Sequence, residues 1–112
     1  MREYKLYLRD ILDAINKINK YIKGISINNL PENELVFDAV LRNLQIIGEA
    51  SKNIPLNIQT KYKEIEWKKI SGFRDILTHA YFGVEKDIVL EIIKDKLPLL
   101  EEQIKNILNK EK

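Results

Sequence analysis

The sequence has no cysteine and only one histidine in 112 residues. Without cysteine there is no disulfide, no thiolate metal ligand and no thiol nucleophile, which fits a reducing, cytoplasmic setting. One histidine leaves carboxylates as the remaining metal ligands, and no Asp-x-Asp or His-x3-His spacing gathers them. The expectation is therefore no metal and no cofactor. A glycine-rich phosphate loop is missing, and so is a Gly-x-Ser-x-Gly elbow. No apolar run approaches the roughly 18 residues that span a membrane. Met1-Arg2-Glu3-Tyr4-Lys5 lacks the apolar stretch of a signal peptide, so no membrane partner is expected. Alternating runs bounded by hairpin turns are also missing, which removes the signal for strands.

What is present reads as helix. The apolar share is 45% and the charged share 32%, ordinary for a globular protein. The length suits one domain over residues 1–112, large enough for a core without staples. Tyr4, Leu8, Ile11, Ile15, Ile18 and Ile22 step by four and three, the seam of a bundle helix that stops near Gly24. Residues 26–33 read as a loop. A second helix is predicted from about Glu32 to Asn53, burying Phe37, Val40, Leu41, Leu44, Ile47, Gly48 and Ser51, with Pro55 ending it. A short helix is predicted over Ile58 to Glu64, and another from about Trp67 to Tyr81, broken by Gly83. The last helix is predicted to start near Glu85. Its stripe is Val89, Ile93, Leu97, Leu100, Ile104 and Leu108, and Pro98 must kink or divide it. Short connections make consecutive long helices antiparallel. The fold class is all-α, a four- to five-helix up-and-down bundle.

Net charge is +2, but its distribution is uneven. Between Thr60 and Arg74, five cations (Lys61, Lys63, Lys68, Lys69, Arg74) face two carboxylates (Glu64, Glu66), a local +3. That excess either steers a phosphate-bearing partner or is a solvated lysine-rich face.

The chemistry concentrates in Gly72-Phe73-Arg74-Asp75-Ile76-Leu77-Thr78-His79-Ala80-Tyr81-Phe82. On a helical wheel with Arg74 at zero, Tyr81 falls at about −20°, Thr78 at about 40°, Asp75 at about 100° and His79 at about 140°. Ile70, Phe73, Ile76, Leu77 and Ala80 fill the opposite arc. One face packs while the other presents a guanidinium, an imidazole, a carboxylate, a hydroxyl and a phenol.

His79 can move a proton near neutral pH, or simply sit at a helix end. Asp75, one turn earlier, can orient its ring. Arg74 can bind phosphate and stabilise charge on a phosphorane, or make a salt bridge, for example to Glu49. Glu49 is a lone acid in an apolar block, either that partner or a plain exposed residue. Gly72 falls at about 160°, beside His79, and leaves room for substrate or a second subunit, or merely starts a helix. Tyr62, Trp67, Tyr81 and Phe82 can stack bases, or be core or interface. RNA carries its own nucleophile, the 2′-hydroxyl, and so needs only proton transfer and charge stabilisation. The residue inventory therefore points to RNA.

Arg-x4-His-x-Tyr, embedded as Gly72 to Phe82, resembles the signature of HepT-like toxins of the HEPN superfamily. Leu8 to Ile15, Ile46 to Lys52 and Trp67 to Ile70 resemble three further blocks of that family, in the right order and spacing. The resemblance implies a HEPN ribonuclease acting as the toxin of a type VII toxin–antitoxin system. It implies a homodimer in which two Arg-x4-His motifs meet in a cleft, with Arg74 and His79 catalytic. It also implies a partner, a minimal nucleotidyltransferase antitoxin that neutralises the toxin by AMP transfer to the motif tyrosine, Tyr81. Asp75, Thr78 and Glu49 are expected in support. The alternative from another class is a non-catalytic substrate-binding subunit of a nucleotidyltransferase complex.

Overall fold

The four-and-three seam of the N-terminal segment becomes helix α1, Tyr4–Ile22, which buries Leu8, Ile11, Ala14, Ile15 and Ile18. Gly24 follows with φ +82°, a left-handed conformation that glycine adopts without steric cost, and the chain turns away. The computed structural model describes residues 3–75 and 86–111. The protein is an all-α bundle, and no strand occurs among the described residues.

The connection after α1 is more ordered than the expected loop. Ile27–Glu32 winds into a 3-10 helix, because Leu30 plugs completely into the core and fixes the segment. Asn33 then caps α2, Glu34–Lys52, its side-chain oxygen accepting from the Val36 N–H at 3.3 Å. The predicted stripe of α2 is buried throughout, with Asn43 and Ala50 added to it. The two polar members bond back along the helix. Ser51 Oγ donates to the Ile47 carbonyl at 2.7 Å, and Asn43 Nδ2 donates to the Ala39 carbonyl at 2.9 Å.

Pro55 opens a short α3, Leu56–Lys61, earlier than the predicted 58–64. The chain then turns through Tyr62 and Ile65 into α4, Trp67–Ser71. The expected continuous helix from Trp67 is interrupted at Gly72. Its N–H is shared between the Lys68 and Lys69 carbonyls at 3.2 and 3.1 Å, and the Asp75 N–H bonds back to the Gly72 carbonyl at 3.0 Å. Two of these three bonds close over three residues and tighten the turn, and residues 73–75 are helical again. The predicted helix end near Tyr81, the break at Gly83 and the start near Glu85 lie outside the described residues.

Helix α5, Lys86–Glu91, runs through a π-turn at Ile92–Lys96 into α6, Leu97–Lys110. Pro98 therefore neither breaks nor sharply divides this segment. It lacks an N–H for the Lys94 carbonyl and its ring crowds that turn, and the wider π-turn just before it absorbs the defect. The buried stripe matches the predicted one from Val89 to Ile104, gains Ile92 and Ile107, and leaves Leu108 half-buried. Helix α1 packs along α2 and α6, and α4 lies against α2. Helix α2 is therefore the element that positions α4 and Arg74.

Candidate active site

The approach of α4 to α2 depends on one absent side chain. A β-carbon on Gly48 would lie 2.8 Å from the Arg74 backbone nitrogen, 3.0 Å from the Ser71 carbonyl and 3.3 Å from the Ile70 carbonyl. All three are backbone atoms, and nothing flexible is available to yield. Gly72, expected to leave room for substrate or a second subunit or merely to start a helix, takes no part in this contact. A β-carbon there would meet its own preceding turn, the Lys69 carbonyl at 3.3 Å.

This contact brings the residue after Gly48 to Arg74. Glu49 Oε1 accepts from Arg74 Nη1 at 3.0 Å. Both side chains keep access to solvent, 39% for Arg74 and 50% for Glu49. An ion pair this exposed contributes at most about 1 kcal/mol to stability, so its significance is orientation. Asp75 sits further off, with Oδ1 3.9 Å from Arg74 Nε and the carboxylate largely in water. Arg74 thus projects at the surface, braced by one carboxylate, with guanidinium N–H groups left to meet an anion. Thr78, His79 and Tyr81, predicted to share this face, lie outside the described residues, as does Phe82.

Of the aromatics that could stack bases or be core, two are core. Trp67 is buried and its Nε1–H donates to the Tyr62 carbonyl at 3.1 Å. Tyr62 is buried too, its hydroxyl donating to Glu111 Oε2 at 2.6 Å. That bond to a carboxylate, with burial behind it, pushes the Tyr62 phenol up to about 12. The local positive excess is also partly neutralised. Lys61 pairs with Glu111, and Lys69 pairs with Glu66 at 2.9 Å. Lys96 joins Glu66 at 3.4 Å. The Lys69 and Lys96 ammonium groups hold the Glu66 carboxyl below its ordinary range, and Glu66 raises Lys69. Lys63 and Lys68 remain exposed beside Arg74's segment. Among the described residues, no three His, Asp or Glu side chains gather in a way that would hold a metal.

The apolar stripe of α2 hides a second one. Arg42, Gln45, Glu49 and Asn53 recur at helical spacing, and with Tyr7 and Asp10 of α1 they line a cleft of about 280 Å³. Glu49, within this lining, is the residue that pairs with Arg74. The spacing is legible in the sequence once two faces of α2 are sought rather than one.

Residues 11–107 match the family described as Ribonuclease HepT-like. The chain belongs to the HepT-like ribonuclease family. It is 41% identical over 112 residues to "Putative RNase TTE0752" of Caldanaerobacter subterraneus subsp. tengcongensis, covering all of both chains. It is 38% identical over 107 residues to "Gamma-glutamylcyclotransferase and putative RNase MJ0434" of Methanocaldococcus jannaschii, covering 96% of this chain and 48% of that one. With "Probable ribonuclease HepT" of Thermococcus cleftensis it shares 39% identity over 99 residues, 88% of this chain and 90% of that one. No solved structure matches. In this HepT-like chain the Gly48–Arg74 approach and the Glu49–Arg74 pair are thus features of a ribonuclease-family fold. Among the described residues, no helix is long and apolar enough to cross a membrane.

Proposed function

We propose that this chain is a metal-independent endoribonuclease, the toxin of a type VII toxin–antitoxin pair. The observation that carries the reading is Arg74 held at the surface by Glu49 within a HepT-like ribonuclease fold. Arg74 opens the Arg-x4-His-x-Tyr sequence whose other members are His79 and Tyr81. His79 takes the proton from an RNA 2′-hydroxyl, which attacks the adjacent phosphorus, and the 5′-oxygen leaves with a proton returned to it. The products are a 2′,3′-cyclic phosphate and a 5′-hydroxyl. Arg74 neutralises charge that builds on the phosphorane oxygens, and an exposed, pre-oriented guanidinium suits that task. Thr78 and Asp75 support the site by hydrogen bonding. Two copies form the working enzyme, because Arg74 and His79 lie about 140° apart on the wheel and a symmetric pair of motifs closes a cleft that one does not.

The partner is a minimal nucleotidyltransferase that transfers AMP to Tyr81. The test is cleavage of single-stranded RNA by the purified protein in EDTA. Activity is expected to persist, and to fall by about 100-fold or more in Arg74→Ala and in His79→Ala, with helical circular dichroism unchanged. Cleavage abolished by EDTA and restored by a divalent ion refutes the metal-free mechanism. RNA binding without any cleavage favours instead a non-catalytic binding subunit for the nucleotidyltransferase.

A further inference from the structure

Arg42 stands in the cleft between α1 and α2 with its charge unspent. It is exposed and, among the described residues, makes no hydrogen bond or ion pair. The two carboxylates that share the cleft do not claim it. Glu49 is met by Arg74 at 3.0 Å, and Asp10, like Tyr7, has a partner of its own. Arg42 and Glu49 are seven residues apart, so they lie about 20° apart around α2 and about 10 Å apart along it. The cleft therefore holds a free arginine at its Arg42 end and, further along at Glu49, a carboxylate that pairs with the motif arginine.

The lining between them is neither plainly apolar nor plainly charged. Ile46 and Ala50 give it an apolar floor, and the Gln45 and Asn53 amides edge it. One Asn53 amide N–H is already committed to the Glu49 carbonyl at 2.8 Å, leaving its other N–H and its oxygen, while Gln45 offers both a donor and an acceptor. A guanidinium for phosphate, an apolar surface for a ribose or base face, and amides for base edges are the groups that recognise a single nucleic-acid strand. We propose that this cleft is an RNA subsite, with Arg42 holding a phosphate other than the one at which Arg74 acts. The proposal rests on the ribonuclease reading above.

The test uses the full chain carrying His79→Ala, so that binding is measured without turnover, and a fluorescein-labelled single-stranded RNA of mixed sequence across a salt series. Adding Arg42→Ala is expected to weaken binding about five- to tenfold at low salt and to flatten the slope of log K against log salt by about 0.7, one phosphate contact on a single strand. Arg42→Lys keeps the slope. Removing the exposed Lys94, outside the cleft, leaves both unchanged. In the otherwise wild-type enzyme, Arg42→Ala raises KM and leaves kcat within about twofold. An unaltered affinity and slope in Arg42→Ala, in a protein that still cleaves RNA, overturns the subsite and leaves the ribonuclease reading standing. A change of oligomeric mass by light scattering with the same RNA slope also overturns it, and makes the cleft a contact between copies. If the wild-type chain neither binds nor cleaves RNA, both readings fall together.

Discussion

Gly48 and Arg74 touch backbone to backbone: a single added carbon on Gly48 would stand 2.8 Å from the Arg74 nitrogen. Gly48→Ala forces α2 and the motif segment apart, since the Ser71 carbonyl at 3.0 Å closes the other side. Overpacking of this kind costs about 1–3 kcal/mol. The expected result is a melting temperature lower by roughly 4 °C or more, read by circular dichroism. Cleavage falls further than stability explains, because the displaced segment carries Arg74. A variant with the wild-type melting curve and full activity means the helices separate without consequence.

The long helices were legible because burial imposes a period. Phe37 through Ser51 and Val89 through Ile104 announce their faces by spacing alone. Features that depend on neighbours far along the chain were not legible. Nothing local to Trp67 or Tyr62 tells core from base-stacking surface, and Tyr62 is decided by Glu111, 49 residues away. Gly48 and Gly72 look equally free in sequence, and only the crossing of α2 and α4 separates them. Leu30 winds its loop into a 3-10 turn through core contacts that no turn propensity encodes. The π-turn before Pro98 likewise reflects a choice between breaking and widening that packing on both sides makes.

Glu49 braces Arg74 without holding the fold together. Glu49→Gln keeps the shape and removes the charge. The pair is exposed, so unfolding free energy is expected to stay within about 1 kcal/mol of wild type in urea titration. Cleavage is expected to drop about tenfold as Arg74 loses its orientation, and Glu49→Asp should recover less than half of that. Loss of stability matching the loss of activity would make Glu49 structural.

Glu111 ties three elements together. It accepts from Lys61 of α3, from Tyr62 and, at 3.5 Å, from Tyr4 at the start of α1. The Lys61 ammonium, then the Tyr62 hydroxyl, hold its carboxyl below the ordinary value of 4.5. A depressed carboxylate contributes stability that is fully present above 4.5 and is lost as pH falls through the lowered value. Tyr62, raised to about 12, contributes stability present below its ordinary value of 10 and lost as pH climbs toward 12. Wild type and Glu111→Gln should therefore differ most in melting temperature near neutral pH and converge only as pH falls below 4.5 through the lowered value, where the wild-type carboxylate is itself protonated. A constant gap down to pH 2 would show that the variant loses packing rather than charge.

On the proposed function, control of the toxin is expected to act through Tyr81. Wheel arithmetic from the sequence sets Tyr81 about 20° from Arg74, the spacing of one shared helix face. AMP on the Tyr81 oxygen brings a bulky nucleotide and a phosphodiester charge beside Arg74. The charge competes with Glu49 for the guanidinium, and the nucleotide fills the path an RNA strand needs. Inhibition then requires no unfolding. Co-expression with the cognate nucleotidyltransferase is expected to raise the intact mass by one or more AMP units and to silence cleavage, with the melting temperature unchanged. In Tyr81→Phe both the mass gain and the silencing should vanish. Silencing that persists in Tyr81→Phe without any mass gain would mean that the antitoxin acts by binding alone, and would remove the covalent mechanism.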